Sequence, residues 1–109
     1  MKPYHLTGRI WLTLNHETVL GEGKIHLLQN IQQMGSLTKA AEKMEMSYRK
    51  AWFSINQMNK TAEHPVVNLS RGGKDGGKAE LTEYGLELLE AFLKQKTAFE
   101  DFLNSQNSE

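Results

Sequence analysis

Between Ser36 and Asn59, apolar residues recur at three- and four-residue spacing in two short blocks, each preceded by a serine. That spacing is the period of an α-helix. In the first block, Leu37, Ala40, Ala41 and Met44 make one apolar stripe, and Ser36 is placed to cap a helix from Leu37 to Met44. Ser47 is placed to cap a second helix from Tyr48 to Ala62. At about 100° per residue its Tyr48, Ala51, Trp52, Ile55, Met58 and Asn59 project to one side, with Trp52 and Ile55 as the expected anchors. The other side carries Arg49, Lys50, Phe53, Asn56, Gln57 and Lys60. Two helices joined by a turn this short are the sequence form of a helix-turn-helix. Arginine and lysine can donate to guanine edges or phosphates, and amides can pair with adenine. A solvated helix face also carries lysine and glutamine, so the pattern of these two helices alone leaves both readings open.

Upstream, Ile10, Leu12 and Leu14 alternate with Trp11 and Thr13, a strand signal, and the polar turn NHET returns the chain through Val19–Leu20 as a hairpin partner. Gly21 and Gly23 should break that strand. Ile25, Leu28, Ile31 and Gln32 or Met34 then predict a helix from Lys24 to Met34, ended by Gly35 in a left-handed cap. Downstream, His64-Pro65 stops the second helix of the pair. VVNLS and AELT read as two strands joined by RGGKDGGK, a glycine-rich basic loop that would form a β-hairpin wing. Arg71, Lys74 and Lys78 are placed to reach DNA phosphates from it, although a solvated hairpin tip has the same composition. Thr82 can cap a last helix from Glu83 to Asn104. Its stripe of Leu81, Tyr84, Leu88, Leu89, Phe92, Phe99, Phe102 and Leu103 runs nearly the whole length. At roughly 30 Å such a helix outruns one small winged domain. Its far half therefore needs a second surface, either the chain's own first elements or, as favoured here, a second copy.

Charge changes this picture more than composition does. The formal net charge is zero, which at first argues against nucleic acid. The charges are segregated, however: net +1 over residues 1–35, +3 over 36–80 and −4 over 81–109. A basic middle suits local phosphate binding without a basic isoelectric point. With 0 cysteines, disulfides and thiolate metal sites are excluded. His5, His16, His26 and His64 show no ligand spacing, so no metal site is expected. No catalytic Ser-His-Asp or paired-carboxylate arrangement is present, and no cofactor is implied. Gly72, Gly77 and Lys78 match a P-loop in outline, but Ala79 stands where magnesium needs Ser or Thr, and no helix follows. No apolar run is long enough to span a membrane, and MKPYHLTGRI has no signal-peptide core, so the expected location is cytoplasmic.

Taken together, GSLTKAAEKMEMSYRKAW, INQMN, the double-glycine loop and LTEYG resemble the N-terminal domain of the ModE family of molybdate-responsive transcriptional regulators. The resemblance runs from about Gly8 to the end of the last helix. It implies a LysR-type winged helix-turn-helix, mainly α with small β-hairpins, and a long C-terminal dimerisation helix. It also implies a homodimer built from the N-terminal segment and that helix, with the helix from Tyr48 in the major groove of double-stranded DNA and the wing beside it. By position, Ser47, Tyr48, Arg49 and Lys50 open the recognition helix, with Arg71 and Lys74 on the wing. Ser36, Thr38, Phe53, Ser54, Gln57 and Lys78 complete the candidate DNA-binding set, and Leu88, Phe92, Phe99, Phe102 and Leu103 form the candidate dimerisation set.

Three features depart from the family. Its members carry a C-terminal molybdate-binding region, which this chain lacks, so any molybdate response would require a separate sensing partner. Glu45 stands at a turn position where glycine is frequent. Phe53 lies on the outward face, where it would either meet a thymine methyl or, as a lone aromatic, be buried by rotation of the helix. The expected organisation is a DNA-binding unit over residues 1–82 and a dimerisation helix and tail over 83–109. The expected function is non-enzymatic, sequence-specific transcriptional regulation. A winged-helix protein-interaction module without DNA binding is the competing reading.

Overall fold

The alternation around Thr13 becomes a strand. In a computed structural model describing residues 2–70 and 77–108, β1 (Leu12–Leu14) pairs antiparallel with β2 (Glu17–Leu20). Asn15 and His16, at φ 52° and 69°, form the two-residue turn between them. Two positive φ values in a row give a turn whose twist matches that of the strands it joins. Val19 and Leu20 at the end of β2 are buried.

The first helix, α1 (Glu22–Met34), starts two residues earlier than expected, because Gly21 supplies the extended backbone at its N-cap and Gly23 is accommodated in the first turn. Ile25, Leu27, Leu28 and Ile31 are its buried face. Gly35, at φ 67°, ends it with its N–H donating to the Ile31 carbonyl at 2.8 Å, the left-handed cap that favours glycine. Next come α2 (Leu37–Lys43) and α3 (Tyr48–Thr61), both capped as their serines imply: Ser36 Oγ accepts from Lys39 N at 3.2 Å and Ser47 Oγ from Lys50 N at 3.1 Å. Each hydroxyl satisfies a donor that has no partner within its helix. Ala40 and Ala41 are fully buried where α2 meets α1 and α3. Their size permits that close crossing.

Two strands, β3 (Val67–Ser70) and β4 (Lys78–Leu81), form the wing, in register from Val67 opposite Leu81 to Ser70 opposite Lys78. Residues 71–76 between them, and with them Arg71 and Lys74, lie outside the described residues. The wing is attached to the helices at its root. Ala79 N donates to the Gly35 carbonyl at 3.1 Å, and the Asn59 side chain bonds the backbone of Val66 and Val67.

The last helix, α4 (Glu83–Asn107), is capped by Thr82, whose hydroxyl accepts from Gly85 N at 2.8 Å. Its 25 residues give a length of about 37 Å, in a molecule 56 Å in its longest dimension. Leu89 and Phe92 enter the common core, and Tyr84, Leu88 and Leu93 pack on its edge. The far half is partly covered within the same chain. Residues 5–8 run beside it, Gly8 abuts the ring of Phe99, and the Asn107 carboxamide holds Leu6 through its backbone N–H and carbonyl, both at 2.8 Å. A carboxamide presents an N–H donor and a carbonyl acceptor side by side, so it pairs with an extended residue as a neighbouring strand would.

Candidate nucleic-acid interface

The turn between α2 and α3 is closed by backbone alone. Glu45 N donates to the Glu42 carbonyl and Met46 N to the Ala41 carbonyl, both at 3.0 Å. Glu45 itself takes φ 54°, a left-handed conformation that disfavours a residue with a Cβ. That is the local strain expected where glutamate replaces glycine.

From this turn α3 presents two unlike faces. Ala51, Ile55 and Met58 are fully buried and fix its rotation. Trp52 and Tyr48 differ from their expected places, and Phe53 takes the outward of its two alternatives. Trp52 is no anchor: it is 46% exposed, and Tyr48 is 48% exposed, because both lie at the border of the apolar stripe rather than at its centre. Phe53 is not turned inward, and at 63% exposure it is among the most open large apolar side chains described. Arg49, Lys50, Gln57 and Lys60 are exposed beside it, while Asn56 is half-buried with its Nδ2 donating to the Trp52 carbonyl at 3.2 Å. Between this outer face and Glu17 of β2 runs an open groove of about 680 Å³, lined by Trp52, Phe53, Asn56, Gln57 and Lys60.

The electrostatics of α3 are inverted relative to the other long helices. The first turns of α1 and α4 contain Glu22 and Glu83, the charge that a helix N-terminus favours. The first turn of α3 has no acid and instead carries Arg49 and Lys50. Among the described residues, no carboxylate pairs with either cation. Their charge adds to the positive end of the helix dipole, which costs roughly 0.3–1 kcal/mol per cation and suits an anion brought from outside.

The remaining candidates fall in several places. Ser36, 5% exposed, is committed to its cap, and Thr38 is half-buried in the first turn of α2. Ser47 is exposed and caps α3, Ser54 is half-buried, and Lys78 is exposed on β4. Of the candidate dimerisation set, Phe92 is enclosed at 3% exposure in the chain's own core, whereas Phe102 is 51% exposed. Phe99, half-buried, stacks on Phe102 with ring centroids 6.5 Å apart, and Leu88 and Leu103 are half-buried.

Sequence reasoning missed Asn59, which positions the site. Its Oδ1 accepts from Val66 N at 2.7 Å and Val67 N at 3.1 Å, and its Nδ2 donates to the Val67 carbonyl at 2.9 Å. Three bonds thus fix the wing root to the last turn of α3. The available signal was an amide on the inward side of an amphipathic helix, shortly before the chain breaks at His64-Pro65. Among the described residues, no group of three or more His, Cys, Asp or Glu side chains could hold a metal ion, and no helix is long and apolar enough to cross a membrane.

A helix pair joined by a tight turn, a two-stranded wing at its root and a long closing helix define a winged helix-turn-helix. The chain belongs to the ModE family. It is 38% identical over 81 residues to the DNA-binding transcriptional dual regulator ModE of Escherichia coli K12, a match covering 74% of this chain and 31% of that protein. It is 32% identical over 97 residues to the molybdenum transport protein ModE of Azotobacter vinelandii, covering 89% of this chain and 36% of the relative. It is also 36% identical over 73 residues to the molybdenum-pterin-binding protein MopA of Rhodobacter capsulatus, covering 67% and 28%. The chain thus spans about a third of the length of the curated relatives it matches. No protein-family model matches it.

Proposed function

We propose that this chain is a non-enzymatic, sequence-specific binder of double-stranded DNA that regulates transcription in the cytoplasm. The observation that carries the reading is the first turn of α3, where exposed Arg49 and Lys50 stand at the positive end of a helix whose inner face is locked into the core. In this reading α3 enters the major groove, Tyr48, Arg49, Lys50 and Gln57 face base edges and phosphates, and the wing with Arg71, Lys74 and Lys78 lies alongside. Similarity to the Escherichia coli ModE, a DNA-binding transcriptional dual regulator, supports it. Two copies joined through the outer half of α4, with Phe99, Phe102 and Leu103 at the contact, would present two α3 helices to half-sites about 34 Å apart. Residues 1–82 would then act as the DNA-binding unit and 83–109 as the dimerisation helix and tail.

Duplex selection followed by binding measurements at several salt concentrations tests this. The affinity should fall steeply with salt, since each phosphate neutralised contributes about −0.9 to the log–log slope. Arg49→Ala should cost about 1–3 kcal/mol on the selected site if Arg49 reads a base, and should cost the same on random duplex if it contacts phosphate only. Absence of duplex binding at any salt would overturn the proposal. It would favour the protein-interaction module, for which the exposed Phe102 and the acidic residues of α4 would be the docking face.

A further inference from the structure

Phe53 stands near the middle of the outer face of α3. At about 100° per residue it lies roughly 40° from Arg49 on one side and 40° from Gln57 on the other. It is therefore flanked by polar groups, and among the described residues it is in no aromatic pair. Its ring opens onto the groove of about 680 Å³ instead of the core. A ring held there would be carried to the floor of whatever α3 enters.

We infer that Phe53 is a specificity-determining residue that contacts a thymine C5-methyl group in the major groove. The inference rests on the DNA-binding reading and deepens it. Base edges in that groove display ring nitrogens, amino groups and carbonyl oxygens, and the thymine methyl is the apolar group among them. A phenyl ring has no hydrogen-bonding atom, so it gains from that methyl and loses against the polar edge of cytosine or guanine. Gln57, exposed one turn further along, carries the amide that pairs with adenine. The helical rise from Arg49 to Phe53 is about 6 Å, the length of one to two base-pair steps. The expected half-site therefore has a guanine opposite Arg49 and an A·T pair one or two steps away, its thymine methyl toward Phe53.

The test uses the whole chain. Bound duplexes are selected from a randomised pool, and fluorescence anisotropy then compares the selected duplex with versions in which single dT residues are replaced by dU, which lacks only the methyl. One replacement should weaken binding about four-fold, the effect of losing one buried methyl contact. Phe53→Ala should bind the dT and dU versions equally, and Phe53→Leu should keep part of the difference. Equal binding of every dU version by the unaltered chain would overturn the inference while leaving DNA binding intact. So would a Phe53→Ala variant that still discriminates. The dU comparison needs no variant, so poor folding of Phe53→Ala would not blunt it. Failure to select any duplex would overturn the DNA-binding reading and this inference together.

Discussion

Adding one methyl group to each of two helical glycines should move stability in opposite directions. Alanine is favoured over glycine inside a helix by about 1 kcal/mol. At Gly23, in the first turn of α1, an added Cβ would meet nothing within 4 Å, so Gly23→Ala should realise much of that gain. At Gly85, in the first turn of α4, the same Cβ would overlap the Val66 carbonyl oxygen and lie 3.0 Å from its carbon and 3.1 Å from Val66 Cγ1. That carbonyl cannot easily retreat. It accepts from Thr82 N at 2.9 Å, and the N–H of the same residue is held by Asn59 at 2.7 Å. Val66 is also completely buried. Forcing it aside incurs an overpacking cost of about 1–3 kcal/mol and weakens a hydrogen bond worth about 1 kcal/mol. Gly85→Ala should therefore destabilise by about 1–3 kcal/mol despite its better helix propensity. For a chain of this size that lowers Tm by roughly 4–8 °C per kcal/mol. Urea unfolding of both variants at one protein concentration decides the matter. A Gly85→Ala midpoint at or above that of the unaltered chain would refute the account of how α4 seats on the wing root.

Asn59→Ala should cost about 2–3 kcal/mol by the same assay, because two backbone donors and one acceptor at the wing root lose their partner; a loss below about 0.5 kcal/mol would show that water replaces the amide. Glu22 is held below its ordinary pKa of 4.5, chiefly by the hydrogen bond from Lys96 at 3.1 Å. The stabilisation from that pair is complete above 4.5 and is lost as pH falls through the lower folded value. The pair is partly exposed, so it contributes less than about 1 kcal/mol. Lys96→Met should accordingly flatten the stability–pH curve on the acid side and leave its slope near neutrality unchanged, and an equally steep acid limb would refute the assignment. Phe102→Asp should convert a dimer to a monomer in light scattering without loss of helical signal; an unchanged mass would mean that the outer half of α4 is satisfied within one chain.

Elements announced by a capping residue were legible in the sequence almost to the residue. Ser36, Ser47 and Thr82 each mark a helix start, and each hydroxyl makes the expected bond. Boundaries set by distant partners were not. The last helix continues to Asn107 because Asn107 pairs with Leu6, 101 residues away, and no local pattern encodes that. Trp52 shows the weakness of periodicity at the border of a stripe: its size argued for the core, yet packing is decided by Ala51, Ile55 and Met58 at the centre. For Phe53 the chemistry of the side chain pointed inward and its angular position outward, and position prevailed. The absence of an acid beside Arg49 and Lys50 at the start of α3 can be read from the sequence. Its meaning depended on knowing that the other face of the helix was already occupied.

The Asn107 clamp ties the segment around Leu6 to the far end of α4. Leu6 and Asn107 meet at the end of α4 away from Thr82, about 37 Å along the helix axis from the wing root. Segments distant in sequence that touch in space tolerate joining there and opening elsewhere. A permuted version in which a short linker joins Asn107 to Leu6 and the chain is cut at the Asn15–His16 turn would keep the contacts of the helix pair and the wing. For the same reason a fluorophore or fused domain attached next to either residue would occupy one common position at the far end of α4, separated from the wing root by the length of that helix.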